Sequence, residues 1–188
     1  MNLFSGLPRK KIASRLVVLF AWAATVSLFN LQLNLNLLFL WLGGLLGLIL
    51  IEIDQLLYVF YFHPQEEASL QVKTLIKQKR FKTALTWLAK TAGGRWKLSF
   101  HNVLFQAIFA PFSFLVLTSS GNLLGTGIVM AINISLLMDQ VGLILKNQDQ
   151  LLAQKYFWPV NFPLSLGLKK LWVLLMIVVF ILLSLLMI

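Results

Sequence analysis

Three short stretches of an otherwise apolar chain carry groups able to bind a cation or move a proton: "IEIDQ" (51–55), "FHNVLFQ" (100–106) and "SLLMDQ" (135–140). They supply Glu52, Asp54 and Gln55; His101, Asn102 and Gln106; and Ser135, Asp139 and Gln140, with Asn133 two residues upstream. Carboxylate oxygens with one imidazole form a donor set for Mg²⁺, Mn²⁺ or Zn²⁺. The same groups serve to relay protons or hold a cation in transit, or to tie helices together by interhelical hydrogen bonds. Ionisable groups inside apolar segments are costly and normally face a bundle interior, so each marks a functional hypothesis.

The elements that must position them follow from composition. Of 188 residues, 59% are hydrophobic and only 12% charged, against roughly 25% charged in soluble domains. The fold class is therefore all-α, a single polytopic membrane domain over 1–188. A bilayer core of about 30 Å takes around 20 apolar residues per helix, and five windows meet that length: 13–32, 37–62, 98–118, 122–145 and 169–188. Cysteine is absent, which excludes disulfides and thiolate chemistry.

All 16 Lys and Arg residues avoid the connections between the first and second windows and between the third and fourth. This odd/even sorting follows the positive-inside rule, and predicts a multi-pass protein of the cell (inner) membrane with a cytoplasmic N-terminus. It also accounts for the formal charge of +10 without nucleic acid as a partner. The apolar run after "RKK" continues beyond "AWA", so it reads as a span in preference to a cleaved signal peptide. The 63–97 loop breaks at His63-Pro64 and Gly93-Gly94, and between them leucines alternate with lysines at helical spacing. It reads as one or two amphipathic helices, either lying on anionic lipid headgroups or packed on the bundle as a solvated hairpin. Residues 156–167, with aromatics and two prolines, read as an interfacial loop.

Depth connects the polar stretches. Asp54 stands eight residues before Phe62, Asp139 seven before Lys146, and His101 four after Lys97. At about 1.5 Å per residue these fall within one or two turns of a common level. Within the second span Glu52 and Gln55 share a face, whereas Asp54 points about 160° away from Glu52. The first and fifth spans carry almost nothing polar beyond Ser27, Asn30 and Ser184, which predicts lipid-facing roles. A faint internal echo joins spans two and four, each placing Asp-Gln about 18 residues after Asn-Leu-Leu, from Asn36 and from Asn122.

The ordered motifs over residues 37–145 resemble those of the predicted membrane-bound metal-dependent hydrolases of bacteria and archaea. That family's signatures run Pro-Asp-x-Asp-His, then Thr-His-Ser, then His-x-x-x-Asp. Here Glu52 and Asp54 stand at the two Asp positions and Gln55 at the His. His101 matches the second His, with Asn102 at the Ser; Asp139 matches the last Asp, with Ser135 at the His. The resemblance implies a divalent metal held by Asp54, His101 and Asp139, with Glu52 as ligand or general base, acting on a lipid-like substrate. Two imidazoles of the pattern are replaced by Gln55 and Ser135, which implies either a preference for a hard ion such as Mg²⁺ or a degenerate, inactive site. Beside this stand two other readings: a cation or proton transport component, and a structural or accessory membrane protein with a hydrogen-bonded polar core. The outer halves of spans two and four carry no ionisable group, which disfavours a conducting path.

Overall fold

The computed structural model describes residues 9–29, 36–95, 97–119, 121–161 and 164–187. Every regular element among them is helical. In chain order these are α1 (Arg9–Phe29), α2 (Asn36–Leu50), α3 (Ile53–Leu57), α4 (Glu67–Lys77), α5 (Phe81–Thr91), α6 (Val103–Ser119), α7 (Leu123–Leu145), α8 (Asp149–Tyr156) and α9 (Leu166–Leu185). Among the described residues four segments are long and apolar enough to cross a membrane: Lys11–Phe29, Leu37–Phe62, Leu123–Leu145 and Leu166–Leu185. The expected third window is shorter, because helix α6 starts at Val103 and residues 98–102 form a non-helical turn.

Helix α7 is the axis of the bundle, packed by α1, α2, α6, α8 and α9. Its tightest neighbour is α2, and glycine makes that approach feasible. A Cβ on Gly43 would lie 2.1 Å from the Leu124 carbonyl oxygen, one on Gly47 2.5 Å from that of Ile128, and one on Gly127 2.2 Å from that of Leu40. Small residues that let backbones touch are the usual adhesive between helices in lipid, where apolar burial alone gives little drive. Residue numbers rise together along the contact, so α2 and α7 run parallel. The echo noticed in the sequence therefore belongs to two helices that lie side by side, and Asp54 and Asp139 end up at one level.

The second span is not one continuous α-helix. At Ile51 and Glu52 the chain turns, with the Gln55 amide donating to the Glu52 carbonyl one residue early. After α3 the last turn, Tyr58–Phe62, is wound as a π-helix. Such irregularities re-aim side chains and recur at functional sites. The 63–97 segment forms α4 and α5, which pack on each other, with Val72 and Ala84 buried against Val59. A further short helix, α8, lies in the 146–168 connection; the spacing there had given no sign of it. Helix α7 ends with Asn147 at φ 54° and the Gln148 amide donating back to the Leu143 carbonyl. A left-handed residue of this kind closes a helix, and Asn tolerates the conformation.

Candidate functional site at the charged end of the bundle

Asp54 is fully buried and has no free oxygen. Its Oδ1 accepts from the Ser99 amide at 2.9 Å, and its Oδ2 accepts from the Phe100 amide at 2.8 Å and lies 3.0 Å from His101 Nδ1. One carboxylate thus satisfies the backbone of the turn that precedes α6. This is also why the helix begins late. Asn102 completes the start: its Oδ1 accepts from the Phe105 amide at 2.9 Å, the N-cap arrangement. Its Nδ2 donates to the Leu98 and Ser99 carbonyls.

Because the Asp54 oxygen is an acceptor, hydrogen bonding assigns the proton of His101 to Nδ1, leaving Nε2 as the lone-pair nitrogen. Nε2 sits 3.8 Å from Asp139 Oδ2. The imidazole is therefore flanked by carboxylates from the two parallel helices, one on each ring nitrogen. The sequence expectation that Asp54, His101 and Asp139 share one depth describes their placement, and Glu52 and Asp54 do face different partners.

The element that sequence reasoning missed is α1. Arg15, only 2% exposed, donates through Nη1 to Glu52 Oε1 and through Nη2 to Asp139 Oδ2 at 2.8 Å. Lys11, one turn earlier, reaches Asp139 Oδ2 at 2.6 Å. The first span was expected to face lipid, with almost nothing polar beyond Ser27 and Asn30. Instead it supplies the cations that neutralise the site. A signal was present: Lys11 and Arg15 are four residues apart and so share a helix face, yet the positive-inside pattern absorbed them both. Asn30, the other polar residue noted for that span, lies outside the described residues.

The remaining polar groups fall into separate networks. Gln55 accepts from Arg95, a buried arginine that also donates to the Leu88 carbonyl and to Thr91, so α3 is tied to the end of α5. Gln106 Oε1 accepts from both Gln140 Nε2 and Trp172 Nε1, joining α6, α7 and α9. Ser135 donates to the Ala131 carbonyl of its own helix, and Asn133 to Ser113. The two positions where the resembled family carries imidazoles thus have structural duties.

The donor set does not fit a metal ion in this arrangement. Asp54 is saturated by two amides and an imidazole, and Oδ2 of Asp139 is shared by Lys11 and Arg15. Among the described residues no group of three His, Asp or Glu side chains is placed to hold one. The guanidinium of Arg15 stands between Glu52 and Asp139 and already bridges them as a cation.

Beside these groups opens a cavity of about 790 Å³. Its polar end is formed by Lys11, Arg15, Glu52, His101, Asp139 and Tyr156. Ile49, Ile53 and Leu56 of the second span, Met138 of α7, and Leu85 and Leu88 of α5 make its apolar walls. Tyr156, 1% exposed, lies with its ring centroid 6.4 Å from that of His101. Burial, with the Asp139 charge behind it, pushes the Tyr156 phenol well above the ordinary tyrosine range, so the hydroxyl keeps its proton. Lys155, also lining the cavity, is held below the ordinary lysine value, first by burial and then by the Lys11 charge.

No protein-family model, no curated protein and no solved structure matches the chain.

Proposed function

We propose that this chain is a multi-pass protein of the cell membrane, with its N-terminus in the cytoplasm, that takes a lipid-like amphiphile from the inner leaflet into the cavity beside α7. The observation that carries this reading is the cavity itself: apolar walls converging on a compact polar end, the usual anatomy of a small-molecule site. Ile49, Ile53, Leu56 and Leu85 line it while remaining exposed. In a bilayer the apolar wall would then continue into the lipid-facing surface, and an acyl chain enters sideways as its head meets Lys11, Arg15, Glu52 and Asp139. A purely structural polar core would be closed and dry, whereas these groups border open space.

The test uses Gly142, a cavity-lining residue of α7 whose Cβ would meet nothing within 4 Å. Gly142→Trp fills the cavity without a clash at its base. Lipid extracted from the purified wild-type protein and measured by mass spectrometry is expected at about one amphiphile per chain, falling at least tenfold in Gly142→Trp. Equal lipid content in the two folded proteins refutes the reading.

A second reading, that the amphiphile is hydrolysed there, has its own support. Asp54 fixes the tautomer and orientation of His101, leaving Nε2 as a general base for a water molecule, the role that an Asp–His pair is suited to. The motif resemblance to membrane-bound hydrolases points the same way. No step is routed through a metal, since Asp54 is saturated and Asp139 is paired with Lys11 and Arg15. Cleavage products that accumulate with wild type and vanish in His101→Gln, with lipid uptake retained, are the expected signature.

A further inference from the structure

The charge balance of the cavity says what kind of head it takes. Four cationic side chains, Lys11, Arg15, Lys146 and Lys155, line it with only two carboxylates, Glu52 and Asp139. Both carboxylates are already matched by Arg15, and Lys11 adds a second cation to Asp139. Lys146 and Lys155 form no ion pair with any described residue. Lys155 is partly buried and close enough to Lys11 for the two ammonium charges to oppose each other. The Asp139 charge also reaches Lys155, yet the lining still carries two more cations than carboxylates, and a cleft with a surplus of one sign draws in the opposite charge.

Tyr156 lines the same cavity next to Lys155 in sequence. Its phenol keeps its proton, which makes it a hydrogen-bond donor suited to an oxyanion.

From this we infer that the amphiphile's head is a phosphate, held by Lys155, Lys146 and Tyr156 at the rim of the Arg15–Asp139 ion pair, with its tail along Ile53, Leu56 and Leu88. A surplus of two positive charges matches a phosphomonoester, which carries about −1.5 to −2 at neutral pH, better than a zwitterionic head. The inference rests on the cavity reading above and names its ligand class.

The experiment compares three probes of equal acyl length on the full chain in lipid nanodiscs: a diacyl phosphomonoester, a zwitterionic phospholipid, and a neutral diacylglycerol. Inorganic phosphate is added separately as competitor. The phosphomonoester is expected to bind at least tenfold more tightly than the diacylglycerol. Lys155→Gln is expected to remove most of that preference, and Lys155→Arg to restore it. Competition by millimolar inorganic phosphate would assign the site to free phosphate, and failure to compete would assign it to the lipid; either upholds phosphate recognition. Equal binding of the neutral and phosphorylated lipids, both lost in Gly142→Trp, overturns the phosphate inference and leaves the cavity reading standing. Absence of any binding sensitive to Gly142→Trp overturns both.

Discussion

Asp54 and Arg15 organise the polar end of the bundle in different ways. Asp54 organises backbone: two amides and an imidazole converge on it at 2.8 to 3.0 Å. Arg15 organises charge, bringing Glu52 and Asp139 together. The prediction at this scale follows from the difference. Asp54→Ala strands three buried donors, each costing about 1–3 kcal/mol when unsatisfied, and should lower thermal stability in detergent sharply. His101→Gln, which leaves the Ser99 and Phe100 amides bound, should cost much less. Comparable melting temperatures for the two variants would show that Asp54 does not hold the turn. The depth argument placed Asp54, His101 and Asp139 together correctly from spacing alone. It missed Arg15 because a lysine or arginine near a membrane boundary has an adequate explanation in topology, so nothing local marked it as a site residue.

The elements were legible where periodicity and length act one helix at a time. Positions of α1, α2, α7 and α9 followed from hydropathy, and the breaks at His63-Pro64 and Gly93-Gly94 bounded α4 and α5. The late start of α6 was not legible, since residues 98–102 are kept out of the helix by a carboxylate 45 residues earlier. Nor was the distortion at Glu52 and the π-turn after it, which depend on packing that the segment's own composition does not record. The α2–α7 contact gives the prediction here. Gly127→Ala places a Cβ 2.2 Å from the Leu40 carbonyl oxygen, so the helices must part. Overpacking of this kind costs about 1–3 kcal/mol. Gly142→Ala, on the same helix with open space around it, should be neutral. Equal losses of stability would mean that the close approach does not exist in the membrane.

Among the described residues the ionisable groups of the long helices gather at one end, and much of the remaining helix surface is apolar. Helix α9 shows this most plainly, with 11% of its apolar window buried against 44% for α7. The phosphate inference makes binding sensitive to pH through Lys155. Burial and the Lys11 charge lower its pKa, outweighing the Asp139 charge that raises it, so as pH rises it gives up its proton before an exposed lysine does. Retention of an anionic amphiphile should therefore begin to fall at a lower pH in the wild type than in Lys155→Arg, whose guanidinium stays charged. Identical alkaline profiles would remove Lys155 from the site.

By itself the sequence determined that the chain is helical, that several helices are fit to cross a membrane, and that three of its segments bring ionisable groups to one level. Hydropathy and rise per residue are properties of each segment alone, so no neighbour was needed to read them. Tertiary structure decided what those groups face: Asp54 the turn before α6, Asp139 and Glu52 a guanidinium from α1, and Glu52, His101 and Asp139 a cavity roofed by α5. Which side of a helix meets which neighbour depends on lateral packing, here on three glycines that let α2 and α7 touch and on the turn before α6 that closes over Asp54.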